Sequence, residues 1–266
     1  MYSRQELAAH LQGLGLAAGD VVMVHASIRA VGEIAGGPDE IHLAVKDVIT
    51  DDGALVMYAS CPRYVDEIGR GNLTREQEAE LLEKLPPFDA ETARSARDNG
   101  ALVELLRTYP GSRVNHHPAR FVVWGARADY LLVEQPWDYA FGAGSILERL
   151  VTLDGTILLL GSDHDTVTFL HYAEHIVDIP DKRVVRFKVP VALGGQRVWR
   201  EMAEFDTSDD GIHDNWPPRF FAQIVDEYLA ATGNVGGRVG DAHSHLLDAR
   251  GLLDHALRVM REVAAQ

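Results

Sequence analysis

The sequence is short of cysteine, of positive charge and of long apolar runs, and each shortage narrows what the chain can be. Cys61 is the single cysteine among 266 residues, which excludes an internal disulfide framework and fits a reducing compartment. Lysine and arginine number 25 against 40 aspartates and glutamates, a formal net charge of -15 at pH 7. That balance disfavours nucleic acid or anionic membrane as partner, and it either favours a cationic ligand or serves solubility alone. No apolar run reaches the roughly 20 residues that cross a bilayer. No charged-then-apolar leader pattern opens the sequence, so a cytoplasmic protein is expected. The nucleophile elbow G-x-S-x-G is missing, and so are the phosphate loop and the dinucleotide fingerprint. Internal repeats, low-complexity tracts and interdomain linkers are also absent, so residues 1–266 read as a single domain.

What is present suits a globular domain able to bury a sizeable core: 46% hydrophobic residues and 24% charged. Ser3-Arg4-Gln5-Glu6 has the form of a capping box ahead of an amphipathic helix ending near Gly13. Asp20 to His25 reads as a buried strand, Pro38 to Val48 as a helix with proline in its first turn, and Ala54 to Tyr58 as the next strand. Gly100 to Arg107 and Gly144 to Leu153 read as helices, with the strand Phe121 to Trp124 between them. Arg183 to Val191 and Arg197 to Asp206 alternate around Gly194-Gly195, a hairpin signal. Trp216 to Leu229 and Ala249 to Val263 close the chain as amphipathic helices, and His243 and His245 between them read as exposed. The pattern predicts an α/β fold, a central mixed sheet flanked by helices with an antiparallel extension. Residues 61–90 stand apart. Asp66, Glu67, Glu76, Glu78, Glu80 and Glu83 make them acidic, and Pro86-Pro87 stops any helix there. They form an excursion from the core, either a partly helical lid or a solvated insertion.

The chemistry concentrates in one stretch. Gly155 to Leu160 is an apolar run that fits a buried strand; polar residues end it, and a helical pattern starts near Asp165 or Thr166. If Val167 to Val177 is helical, Thr168, His171 and Glu174 share one stripe. A hydroxyl, an imidazole and a carboxylate are then placed to orient one another as an acid/base unit. The end of such a strand is where open α/β folds often put their sites. His171-x-x-Glu174-His175 also spells H-x-x-E-H, in which two histidines bind zinc and the glutamate is the base. That reading needs a third ligand such as Asp226 or Glu227, and His164-Asp165 offers a further metal pair. A third reading leaves His171 as a core residue. Gly142-Ala143-Gly144-Ser145 precedes a helix and offers backbone amides to an anion. The residues alone lead to an α/β enzyme with a His/Glu site.

Several segments, in order along the chain, resemble the aminoglycoside 3-N-acetyltransferase family. His25-Ala26-Ser27-Ile28 with Gly36-Gly37-Pro38 is similar to the family's H-S-S-L and G-G-P, and Ala54-Leu55-Val56-Met57 to its strand T-L-V-M-P. Arg97-x-x-Gly100-x-x-x-Glu104-x-x-Arg107 and His117-Pro118 follow the same order. Gly142-x-Gly144-Ser145 resembles G-x-G-S-P, and Leu153-Asp154-Gly155 to Gly161 resembles L-D-G-x-V-L-L-L-G. His164-Asp165-Thr166-Val167-Thr168-x-x-His171-x-x-Glu174 is close to H-D-x-N-T-x-x-H-x-x-E. Ala26, Tyr58, Ile146 and Val167 depart from the pattern, and the segment from Glu174 to Val191 resembles a divergent branch.

The resemblance implies the family's fold and an acetyl-CoA-dependent transfer to the 3-amino group of 2-deoxystreptamine aminoglycosides, giving antibiotic resistance. It implies His171 as general base, Glu174 as its orienting carboxylate, and Thr168 as donor to the thioester oxygen. His25, Ala26, Ser27, Ile28, Arg29, Gly37, Asn115 and His117 are the expected acetyl-CoA contacts. The polyamine acceptor should meet Asp66, Glu67, Asp163 and Asp206. No metal is expected, and the chain should act as a monomer or homodimer. A protein that acts on another amine, or one that only binds CoA, is the alternative.

Overall fold

The computed structural model describes residues 1–61, 68, 73–207 and 211–266. Ser3 caps helix α1 (Arg4–Leu14): its hydroxyl accepts from the Glu6 amide while the Glu6 carboxylate takes the Ser3 N–H. Both bonds satisfy donors that a helix start leaves orphaned. Strand β1 (Val21–Ala26) leads into the single-turn helix α2 (Ile28–Val31), then α3 (Asp39–Ile49) and β2 (Ala54–Tyr58). Helix α4 (Arg75–Lys84) lies in the acidic excursion and stops before Pro86-Pro87. There follow α5 (Ala101–Thr108), β3 (Arg113–Val114), β4 (Phe121–Gly125), α6 (Ala128–Leu131), α7 (Ile146–Thr152) and β5 (Thr156–Leu160). The last part holds α8 (Leu170–Ile176), β6 (Val184–Leu193), β7 (Gln196–Phe205), α9 (Phe220–Thr232), β8 (Gly237–Val239), β9 (Ala242–Asp248) and α10 (Ala249–Ala264).

Seven strands make one mixed sheet in the order β3-β4-β2-β1-β5-β9-β8. Its centre, β2-β1-β5, is parallel, and β4 and β9 join antiparallel on either side. The central strands are near-continuous apolar runs because both sheet faces are covered. Successive residues of a strand point to opposite faces, so the core splits in two. Met23, Val56, Phe121, Ile157 and Leu159 pack on one side with α7, α8, α9 and α10. Val22, Val24, Leu55, Val122 and Leu158 pack on the other with α1, α3 and α5. The chain leaves β1 for β2 through α3 on one face and enters β5 from α7 on the other. The crossovers therefore diverge at the β1/β5 boundary, where a parallel sheet opens a crevice beyond its strand ends. Those ends are tied together: Ser27 N–H donates to Leu160 O at 2.9 Å, and Ser162 Oγ to His25 O at 3.3 Å. Gly161, at φ 58°, lets α2 approach, since a Cβ there would lie 2.6 Å from the Ala30 Cβ.

The expected hairpin β6–β7 forms around Gly194-Gly195, both with positive φ as a type I′ turn requires, and this antiparallel extension is a two-stranded sheet of its own. The described part of the excursion packs on that hairpin: Arg197 donates to Leu82 O, and Phe88 exchanges main-chain bonds with Pro190 and Ala192. The helix expected from Trp216 begins at Phe220, because Pro217-Pro218 lack N–H groups and Arg219 takes a left-handed φ of 56°. The helix expected from Val167 begins at Leu170. Residues 164–166 form a 3-10 turn instead, in which the Asp163 carboxylate accepts from Asp165 N–H and Val167 leaves the helical region at ψ 85°. Finally, His243 and His245 belong to β9 and share one face of it, their rings 4.8 Å apart; His243 is exposed as expected, but His245 is buried, with the His164 ring packed on it at 5.4 Å.

Candidate active site

Helix α8 carries the imidazole and the carboxylate. His171 and Glu174 are three residues apart on it, and His171 Nδ1 lies 2.8 Å from Glu174 Oε2. Glu174 is only 2% exposed, so its carboxylate depends on protein partners. The second oxygen has one from far along the chain: Trp216 Nε1–H donates to Oε1 at 3.0 Å. A carboxylate at Nδ1 assigns the proton to that nitrogen and leaves the Nε2 lone pair on the opposite edge. Phe141 and Phe221 flank the ring at centroid distances of 5.2 and 5.0 Å.

The helix itself is pinned. His175 Nδ1 donates to the His171 carbonyl at 2.6 Å, and its Nε2 meets Glu204 Oε1 at 2.5 Å. Glu204 also accepts from the amides of Ala140 and Phe205, so both oxygens of this buried carboxylate have partners. At the C-terminal end Lys182 Nζ donates to the carbonyls of Glu174 and His175, which complements the helix dipole.

One cavity opens onto His171 and Glu174, and a second is lined by Thr168, three residues before His171. The larger, about 390 Å³, is lined by His171 and Glu174 with Asp165, Thr207, Trp216 and the segment 217–221. The smaller, about 120 Å³, lies at the ends of β1 and β2 and is lined by His25, Ala26, Tyr58, Gly100, Ser162 and Thr168, among others. Burial, with His171 close by, pushes the His25 imidazole down to about 4, so it is neutral at pH 7. Its Nε2 is buried without a partner.

The family model described as aminoglycoside 3-N-acetyltransferase matches residues 23–261. The chain belongs to the aminoglycoside 3-N-acetyltransferase family. The aminoglycoside N(3)-acetyltransferase III of Pseudomonas aeruginosa is 38% identical over 261 residues, 97% of this chain and 93% of that protein. Type VII of Streptomyces paromomycinus is 35% identical over 275 residues, 98% of this chain and 92% of its own length. Among solved structures, AAC-IIIb in a binary complex with CoASH has a TM-score of 0.89 at 39% identity, covering 98% of this chain and 97% of that one. AAC-VIa bound to sisomicin has a TM-score of 0.91 at 32% identity, covering 98% of each.

In this member of the acetyltransferase family the expected site residues divide. The structure joins His171 to Glu174 but sets Thr168 on the wall of the smaller cavity, beside His25 and Ala26. Ser27 Oγ accepts from the Ala30 amide and caps α2, where Ile28 is half-buried and Arg29 exposed. Gly37 N–H closes a turn on Ile34 O. Asn115 and His117 are buried away from both cavities. Asn115 links Gln135 to the Phe121 amide, and His117 accepts from the Ala119 amide, so their polar atoms hold their own loop. Asp163 caps the 3-10 turn and pairs with Arg219 at 2.6 Å, which spends its charge locally. Asp206 is half-buried next to Thr207, which lines the larger cavity. Asp66 and Glu67 lie outside the described residues. The amides of Gly144 and Ser145 are taken by Glu148 and by Gly142 O, so that loop offers no anion site.

The zinc pattern is also resolved. His175 turns to Glu204 rather than towards His171, and Asp226 pairs with His164 at 2.6 Å, so the H-x-x-E-H side chains diverge. Sequence reasoning missed Trp216 and Asp165. Trp216 lies 42 residues from Glu174, and nothing local marks it. Asp165 stood in the family motif, but its place in the larger cavity follows from its bond to the Ala222 amide.

Proposed function

We infer that this chain is an acetyl-CoA-dependent aminoglycoside 3-N-acetyltransferase that confers antibiotic resistance by direct transfer. The observation that carries the reading is the buried Glu174 carboxylate holding His171 Nδ1, with the Nε2 edge free to take a proton. The amine nitrogen attacks the thioester carbon: an N–C bond forms, the C–S bond breaks, and the amine proton passes to His171 Nε2. Glu174 stabilises the imidazolium as it forms, and the leaving sulfur takes up that proton directly or through water. The Thr168 hydroxyl donates to the oxygen on which negative charge develops.

The smaller cavity supports the thioester side, since small residues and a neutral His25 suit a narrow uncharged group. The turn from His25 to Arg29, with Gly37, is the proposed path of acetyl-CoA past the β1 end. The larger cavity supports the acceptor side. Its carboxylates Asp165 and Glu174 attract amines, its aromatic faces suit sugar rings and cations, and Asp206 directly precedes Thr207 of its wall. The net charge of -15 favours the same cationic acceptor. We place the enzyme in the cytoplasm as a monomer or homodimer.

The test is CoA release from acetyl-CoA against a panel of aminoglycosides and their 3-N-acylated analogues. Turnover should need a free 3-amine, and His171→Ala should lower kcat by about 10³-fold, within the range for a general base, while acetyl-CoA binding is kept. Binding of acetyl-CoA with no turnover on any member overturns the reading.

A further inference from the structure

Trp216 has no part in the reaction as described, yet it holds the one buried carboxylate that orients the base. Glu174 reaches His171 through a side chain with three rotatable bonds, and α8 alone does not fix which oxygen faces the ring. Trp216 supplies the missing constraint by donating to Oε1 while Oε2 faces His171 Nδ1 at 2.8 Å. The indole is itself fixed. Its ring packs on Phe220 and His213 at centroid distances of 4.8 and 5.2 Å, and its amide donates to His213 O. Gly211 makes room for it, since a Cβ there would come within 2.9 Å of Trp216 Cδ1.

The choice of donor matters. An arginine or lysine at Oε1 would spend the negative charge that the imidazolium needs, whereas an indole N–H is neutral and sets geometry only. The nearby cation, Lys182, is directed to the main-chain carbonyls of Glu174 and His175 instead. We propose that Trp216 is a positioning residue of the acetyl transfer, whose indole N–H locks the Glu174 carboxylate so that Oε2 stays aimed at His171 while the proton moves. The proposal rests on His171 acting as the base.

Replacing Trp216 by β-(3-benzothienyl)alanine exchanges the N–H for sulfur and keeps the bicyclic shape. We expect kcat to fall about tenfold, the usual scale for losing one hydrogen bond to a charged group. KM for the aminoglycoside should stay within about twofold of the parent, because the cavity wall is unchanged. Trp216→Phe should show the same loss in kcat with a higher KM from the lost ring area. In a His171→Ala background Trp216→Phe should cost nothing further in kcat, because its effect passes through the base. An unchanged kcat, or a loss that persists without His171, overturns the proposal. A parent without turnover counts against the enzymatic reading, and a spectrum then decides the contact. Among the four tryptophan indole protons of the ¹⁵N-labelled parent, the Trp216 signal must move on Glu174→Gln; a signal that stays in place overturns the proposal.

Discussion

Breaking the buried pair beneath the base tests how α8 is held. His175 and Glu204 have side chains 1% and 5% exposed, and Nε2 and Oε1 are 2.5 Å apart. His175→Ala leaves the carboxylate in a dry site with only the Ala140 and Phe205 amides as donors. Removing one member of a buried pair costs about 3–5 kcal/mol, and the two remaining amides put this case at the low end, about 3 kcal/mol. Glu204→Gln keeps the shape but loses the charge, which costs about 2 kcal/mol for a charged hydrogen bond. Once the histidine is gone, however, a neutral amide is no worse than a stranded carboxylate. The double variant should therefore cost about 3 kcal/mol rather than the sum of about 5. Urea unfolding at constant pH measures all four corners of the cycle, and thermal midpoints should fall roughly 2–4 °C for each kcal/mol. Additive losses, with the double variant at the full sum, would refute the pair as the anchor of α8.

Other tests address the same fold. Burial pushes both His25 and His117 down to about 4 from an ordinary 6.5, so the unfolded chain takes up protons that the native chain refuses. Stability is therefore full above about pH 6.5, falls as pH drops towards 4, and levels off below. His117→Asn should remove about one proton from that slope, and urea midpoints that change with pH as the parent's do would contradict it. Gly125 sits at φ 113° where a Cβ would lie 2.2 Å from Gly53 O, main chain against main chain. Gly125→Ala should cost about 3 kcal/mol, whereas Gly19→Ala, equally left-handed but with open space around it, should cost about 1 kcal/mol. Equal losses in the two variants would mean that backbone strain alone, and not the β2–β4 approach, sets the cost.

The sequence by itself determined the elements whose physics is local. The capping box at Ser3, the two-glycine turn of the hairpin and the apolar runs of β1, β2 and β5 each need only neighbouring residues to be satisfied. The imidazole and carboxylate of α8 were legible for the same reason, since three residues of helix bring them together. Where the sequence alone failed, the deciding partner was distant or the backbone was already spoken for. Val167 and Thr168 read as the first turn of a helix, but the Asp163 cap and the burial of Val167 bend the chain there, and Thr168 is delivered to another cavity. Nothing local foretells that the polar atoms of Asn115 and His117 bond to Gln135, Phe121 and Ala119. His175 looks like a metal ligand until Glu204, from a strand 29 residues away, claims its nitrogen. Trp216 carries no mark at all. Its role exists only because the tertiary structure brings this neutral donor to a buried carboxylate of α8, which no spacing along the chain encodes.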